Sequence, residues 1–167
     1  KNDGSRWACA TIGHARAVTT VIATFSSDIM GQVVMKQLAD DAQSETQVMV
    51  ELKYADAAAA ASAGHKMHVH VSPVTADCAS AGGHFDPFGV EVPTYTTCTG
   101  NTAAKAAGCY VGDLSGKFGT LGASSSASFM DSSVSLFGAN SIQGRSIVIH
   151  KNDGSRWACA TIGYARP

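Results

Sequence analysis

The chain alternates apolar and polar residues over many short stretches. Stretches of this kind, rich in β-branched residues, predict half-buried strands. The pattern is clearest in TQVMVELKY, where Val48, Val50, Leu52 and Tyr54 alternate with polar residues. Strands are predicted for seven segments: 18–25, 30–38, 46–54, 68–71, 133–137, 146–150 and 156–163. Many short strands joined by Gly-rich turns favour an antiparallel sandwich or barrel.

Two stretches depart from the strand pattern. Residues 55–64 (ADAAAAASAG) are rich in alanine and fit either a short helix or a loop. Residues 72–109 contain Pro73, Pro87 and Pro93 among many Gly, Thr and Ser residues. Because a connection of this length is uncommon in a compact domain, we expect it to carry function.

One sequence of thirteen residues, KNDGSRWACATIG, occurs twice, at 1–13 and at 151–163. The copies lie 150 residues apart, which is the size of a whole domain. We therefore predict a tandem array, in which residues 1–16 are the C-terminal strand of a preceding repeat and residues 17–167 are one domain. A cloning duplication is the alternative, but such a copy would not normally carry the difference at positions 14 and 164.

Composition and charge narrow the function classes. Charged residues make up 15% of the 167 residues and the net charge is -1, which argues against a nucleic-acid binder. No apolar run approaches the ~20 residues of a membrane helix. The five cysteines include one repeat position twice, as Cys9 and Cys159, and counting it once leaves an even number. An even number is typical of a disulfide framework, and no Cys-x-x-Cys zinc motif is present. We therefore expect disulfides and an oxidising, extracellular compartment.

The histidines carry the main evidence for chemistry. His68 and His70 lie two residues apart in a predicted strand, so both project from one face. His84 lies in the long loop, and His150 ends another predicted strand. Several imidazoles on a β scaffold, without thiolate ligands, are typical of a Cu(II) or Zn(II) site. The His-x-His pair alone is a weak signal, because histidines also occur as structural or surface residues.

Four motifs, in order along the chain, resemble those of the copper–zinc superoxide dismutases. They are HKMHVHVSPVTADCASAGGHFDPFG (65–89), VGDLSGKFG (111–119), DSSVSLFGANSIQGRSIVIHK (131–151) and GSRWACATIGYA (154–165). The resemblance covers most of residues 18–167. It implies an all-β fold, an eight-stranded antiparallel Greek-key β-barrel or sandwich with long functional loops. The activity it implies is copper-dependent disproportionation of superoxide to dioxygen and hydrogen peroxide.

The resemblance also implies roles for single residues. The four copper ligands match His68, His70, His84 and His150. Of these, His84 matches the histidine that bridges copper and zinc, and without zinc it is expected to donate a proton. Arg156 matches the arginine that attracts and orients superoxide. The family disulfide matches Cys78–Cys159, and His65 matches a structural histidine that is expected to be buried and hydrogen-bonded rather than metal-bound.

The zinc half of the family pattern is incomplete. Asp113 matches the zinc aspartate, but Tyr110 stands where one zinc histidine belongs, and no histidine lies between His84 and Tyr110. Because zinc needs three or four protein ligands, we predict copper and no zinc. The chain thus resembles the copper-only members, which include tandem-repeat proteins. Asp113 is expected to accept a hydrogen bond from a copper histidine, His84 above all. Tyr110 stands where copper-only relatives often have glutamate, and it has either a packing role or a contact to the site.

The cysteines leave one choice open. We expect Cys98–Cys109 to close the loop in place of zinc, which stabilises it by roughly 3 kcal/mol. The last strand can come from the C-terminal repeat copy, which leaves Cys9 unpaired, or from the first copy, which then pairs Cys9 with Cys78. We favour the C-terminal copy, since it continues directly from His150. Either choice leaves a strand and a cysteine that can pair between chains.

The expected partners are superoxide and neighbouring repeats of the same chain, with no nucleic acid and no membrane. A copper-binding or storage module is one alternative function, although it has no use for Arg156. A structural extracellular repeat is another, although it would not need four histidines. Metal content measured together with activity separates the three functions.

Overall fold

The computed structural model describes residues 15–55, 63–90, 98, 108–122 and 124–165. Within these ranges the strands are β1 (Val18–Ser26), β2 (Ile29–Leu38), β3 (Thr46–Tyr54), β4 (Lys66–His70), β5 (Ser124–Asp131), β6 (Ser146–His150) and β7 (Arg156–Tyr164). One helix, α1 (Leu114–Phe118), and one 3₁₀ turn, Cys78–Ala81, lie between strands. The all-β fold class is confirmed, with seven strands in the described ranges rather than eight. None of the helices there is long and apolar enough to cross a membrane.

The strands form one antiparallel sheet in the order β4-β6-β7-β1-β2-β3-β5. The sheet curls around a core to which alternate residues of each strand contribute. On β1 these are Val21, Ala23 and Phe25, all nearly inaccessible to solvent. Because side chains alternate across a strand, the period-two pattern of the sequence is the pattern of inward positions.

Strand β5 was missed by the sequence analysis, and the strand predicted at 133–137 was wrong. β5 reads SSSASFMD and shows no apolar alternation, because it is an edge strand held by backbone pairing with β3 while most of its side chains face solvent. Val134 and Leu136 alternate with polar residues because both are buried. Their backbone groups, however, form hydrogen bonds with side chains instead of with a neighbouring strand. Thr46 donates to the carbonyl of Val134, and the amide of Leu136 donates to Gln37.

The C-terminal repeat copy forms β7, which lies between β6 and β1. Cys159 pairs with Val148 on one side, and Ile162 pairs with Ala23 on the other. The first copy, with Arg6 and Cys9, lies outside the described residues, and so do residues 56–62 of the alanine-rich stretch.

Candidate metal centre

Strand β4 presents two histidines on its outer face. Met67 and Val69 point into the core, so His68 and His70 point away from it. Beyond β4 in the sheet, the loop at His84 continues the pairing: His70 and His84 form an isolated antiparallel bridge, and the amide of Phe85 donates to the carbonyl of Val69 at 2.8 Å. The long loop therefore reaches the histidine strand through backbone hydrogen bonds.

A glycine allows a second segment to reach the same edge of β4. The amide of Val69 donates to the carbonyl of Gly112 at 2.9 Å, and the amide of Gly112 donates to Phe85 at 2.9 Å. A Cβ at position 112 would lie only 2.6 Å from the oxygen of Val69, so a larger residue would push this segment away from β4. This close approach places the neighbouring Asp113 beneath β4.

The ligand atoms of His68, His70, His84 and His150 all lie within 4.8 Å of one another. His150 joins the others because β6 pairs with β4, with His150 opposite Lys66. Three of the four residues are buried, and His84 is exposed. In the part of the chain that the structure describes, this is the group of side chains that could hold a metal ion.

Backbone carbonyls fix the ring orientation of two of these histidines. Nδ1 of His70 lies 2.9 Å from the carbonyl oxygen of Gly82, and Nδ1 of His150 lies 3.0 Å from that of Gly154. Because a carbonyl can only accept, each Nδ1 carries the proton and each Nε2 is left with a lone pair. The two Nε2 atoms lie 3.2 Å apart. Two lone pairs at this distance repel each other, and a cation bound by both removes the repulsion.

His68 supplies the strongest indication that the cluster fits a metal. Both of its ring nitrogens are buried without a hydrogen-bond partner among the described residues. The carboxylate of Asp113 lies 3.3 Å from Nε2, so Nδ1 is the atom left for a metal ion. A buried polar atom without a partner is costly, and coordination of a metal ion satisfies it. With imidazole donors alone, the set suits copper or zinc.

Asp113 lies against His68, whereas the sequence analysis favoured His84. Its Oδ1 is 3.3 Å from Nε2 of His68, and the same carboxylate caps α1 by accepting from the amide of Gly116 at 2.7 Å. Burial raises the pKa of Asp113, but the contacts with His68 and Gly116 outweigh burial and hold that pKa below its ordinary value. The favoured partner was wrong because the position of α1 under β4 is set by tertiary packing.

Tyr110 takes the position beside His84. Its hydroxyl lies 2.8 Å from Nδ1 of His84, and the two rings stack with centroids 5.3 Å apart. If Nε2 held a metal ion, Nδ1 would carry the proton and would donate it to the phenol oxygen. Of the two roles left open by the sequence, the structure shows direct contact with the site. His84 and Asp113, the remnants of the zinc pattern, thus have other partners.

Two rings of the cluster have strongly lowered pKa values. His84 as a whole residue is exposed, but its ring packs against the other three histidines, and this partial burial, together with the charge of those rings, lowers its pKa to about 3. Burial is also the main cause that lowers the pKa of His70 to about 4. Neutral imidazole is the form that binds metal, so no protons need to be displaced from these rings near pH 7.

Arg156 is held next to the cluster by the 3₁₀ turn. Its guanidinium donates to the carbonyls of Cys78, Ala79 and Gly82. The carbonyl of Gly82 also accepts from His70, so one peptide group orients both side chains. The positive charge of Arg156 contributes, after burial, to the lowered pKa of His70.

Among the residues that the structure describes, two disulfides are formed, Cys78–Cys159 and Cys98–Cys109. The first joins the turn that holds Arg156 to β7. The second lies beside Asp113, with Sγ of Cys98 3.5 Å from Oδ2.

His65 is buried outside the cluster, and its ring packs against those of Tyr54 and Trp157.

The carbonyls of Gly82 and Gly154 were not anticipated from the sequence. Both glycines have positive φ, 73° and 86°, which turns the peptide chain sharply next to a histidine ring. Any residue type can supply a backbone carbonyl, so the two glycines themselves were the only sign of these contacts in the sequence.

A buried ion pair between Lys117 and Asp131, at 2.5 Å, was also not predicted from the sequence. It joins α1 to the end of β5.

The chain is similar to several known proteins. The family model for copper/zinc superoxide dismutase matches residues 29–162. A superoxide dismutase [Cu-Zn] of Schizosaccharomyces pombe is 36% identical over 157 residues, 83% of this chain and 92% of that protein. The cell surface Cu-only superoxide dismutase 5 of Candida albicans is 40% identical over 100 residues, 57% of this chain and 40% of that protein. A solved structure of Candida albicans superoxide dismutase 5 with Cu(II) has a TM-score of 0.71 at 32% identity and covers 90% of this chain and 94% of that one.

Proposed function

The chain belongs to the copper/zinc superoxide dismutase family and is a superoxide dismutase, and we propose that it works with one copper ion and no zinc. The proposed copper ligands are His68, His70, His84 and His150. The observation that carries the proposal is the contact of Tyr110 with Nδ1 of His84, on the side of the ring that a bridged zinc would need. The carboxylate of Asp113 is also engaged elsewhere, by His68 and Gly116.

When bound, copper supplies the one-electron redox change by which superoxide is disproportionated to dioxygen and hydrogen peroxide. Arg156 provides a permanent positive charge beside this centre, and its guanidinium is fixed by three carbonyl contacts. An anion is therefore attracted to one side of the cluster and oriented there. His84 is the exposed member of the four, so a proton on its ring can exchange with solvent and be passed to the product.

The proposal extends to location and domain organisation. We assign the chain to the extracellular space, on the strength of two disulfides and of the Candida relatives that are named as cell-surface proteins. We also assign residues 17–167 to one repeat of a tandem array, on the strength of the duplicated thirteen residues. The chain spans 40% of the cell-surface Candida relative, so the role of the whole protein is part of this proposal.

Metal content, electron paramagnetic resonance and superoxide decay test the proposal together. The purified protein is loaded with Cu(II), its spectrum is recorded, and excess Zn(II) is then added. We expect about one copper and no bound zinc per domain, an unchanged spectrum and fast superoxide loss. His68→Ala is expected to lose copper, whereas His65→Ala, the same change at a buried histidine outside the cluster, is the matched control that retains it.

Three outcomes would contradict the proposal. Zinc uptake with a changed copper spectrum would indicate a copper–zinc enzyme. Copper without turnover would indicate a binding or storage module. A protein that takes up no metal would indicate a structural repeat.

A further inference from the structure

The chain enters and leaves the domain at the same end of the sheet. β1 begins at Val18 and β7 ends at Tyr164, and these strands are antiparallel neighbours in which Val21 lies opposite Tyr164. Backbone bonding continues just beyond both strands. The carbonyl of Ala17 accepts from Ala39 at 2.9 Å, and the amide of Ala165 donates to Thr20 at 3.3 Å.

The repeat spacing shows how short a junction between copies must be. Since residues 151–163 repeat residues 1–13, Ala165 corresponds to Ala15. Ala15 would thus be the last residue of one copy with a backbone hydrogen bond to its sheet, and Ala17 is the first such residue of the next copy. Only Arg16 lies between them, and its guanidinium is paired with Asp40 at 2.7 Å. The Cα atoms of residues 15 and 17 can be at most about 7 Å apart, so consecutive copies must touch.

An apolar groove opens on the outer face of the sheet at this end. It has a volume of about 320 Å³, and its apolar lining is Val18, Leu38 and Met130. Val18 is 50% exposed and Met130 is 42% exposed. The other lining residues are polar or charged and include Lys36 and Glu45, so apolar and charged side chains lie side by side, as in protein–protein interfaces.

We propose that this groove docks the neighbouring copy of the same domain, so that consecutive repeats form a fixed contact at Arg16 and Val18. The inference rests on the proposed tandem arrangement and is independent of the metal. The junction selects the occupant, because a neighbour attached one residue before Ala17 cannot avoid this end of the sheet. The four histidines lie on β4, on β6 and in the loop at His84, none of which lines the groove. Docking at the groove therefore does not cover the copper centre of the copy that carries the groove.

A two-copy chain tests the contact. Residues 1–163 are followed directly by residues 14–167, so that the shared thirteen residues occur once at the junction. Small-angle X-ray scattering gives the distance distribution between copies, and a version with twelve Gly/Ser residues inserted after Ala15 gives the reference without contact. We expect the two-copy chain to have a narrower distribution and a smaller radius of gyration than the reference.

Two matched variants locate the contact on the groove. Met130→Asp and Met30→Asp introduce the same charge at positions of similar exposure, 42% and 45%, at opposite ends of the outer face. Met130→Asp is expected to shift the scattering to that of the reference and to speed tryptic cleavage after Arg16 at the junction about tenfold. Met30→Asp is expected to change neither. Val18→Asp serves as a second groove variant in scattering, and melting curves show that each variant is folded.

The result that overturns the inference is a two-copy chain that scatters like the reference with the insertion. Equal behaviour of Met130→Asp and Met30→Asp would show that the copies touch elsewhere. Superoxide decay is measured on the same samples, so that failure of the copper proposal shows as lost turnover with unchanged scattering.

Discussion

Removal of the Cys78–Cys159 disulfide is expected to cost more stability than removal of Cys98–Cys109. The first bond joins residues 81 apart in sequence, and the second joins residues 11 apart. A disulfide restricts the unfolded chain in proportion to the logarithm of the loop it closes. On this model the two bonds contribute about 4.5 and about 2.8 kcal/mol to the free energy of unfolding.

The first bond also supports the site. It fixes the turn whose carbonyls, at Cys78, Ala79 and Gly82, hold the guanidinium of Arg156. Without it, the turn keeps only its noncovalent contacts with β7, which include these hydrogen bonds. We therefore expect the variant without Cys78–Cys159 to lose kcat/KM for superoxide, whereas the variant without Cys98–Cys109 retains the position of Arg156.

The measurement is urea unfolding of the metal-free protein, followed by tryptophan fluorescence. The double variants Cys78→Ala with Cys159→Ala and Cys98→Ala with Cys109→Ala are compared in a Cys9→Ala background, so that Cys9 cannot form a new disulfide. The expected difference between the two losses is about 1.7 kcal/mol. Equal losses, or a larger loss for the short loop, would refute the reasoning from loop length.

Three further results are expected at the copper site. Arg156→Ala should lower kcat/KM about tenfold or more and reduce the ionic-strength dependence of kcat/KM. Arg156→Lys keeps the charge and should retain part of the rate and part of the salt dependence. A salt dependence that is unchanged in Arg156→Ala would rule out the docking role. Tyr110→Phe removes the hydroxyl that contacts His84 and should weaken copper binding about tenfold in a chelator competition, and equal affinity would show that the contact is incidental. The metal-free protein should lose unfolding free energy as pH falls from about 6.5 to about 4. The pKa of His70 is about 4 in the folded protein, so as the pH falls the unfolded chain takes up this proton first and becomes favoured. An unfolding free energy from urea titrations that stays constant between these pH values would contradict the prediction.

The meander from β1 to β3 could be predicted from the sequence almost to the residue. These strands are consecutive, and their inward positions carry the apolar alternation themselves. β5 could not be predicted in this way, because its pairing with β3 is made by the backbone of a serine-rich segment. Conversely, Val134 and Leu136 alternate without forming a strand, since apolar alternation reports burial rather than pairing.

The sequence by itself determined which chemistry the chain can carry: four histidines in a recognisable order, an arginine and two pairs of cysteines. Only the tertiary structure decided which atom of each side chain faces which partner. Nδ1 of His70 is turned to Gly82, Asp113 is turned to His68, and Tyr110 is turned to His84. These choices depend on loops that cross the edge of β4, and their relative positions are set by long-range packing. Residue types and spacing along the chain contain no information about such distances.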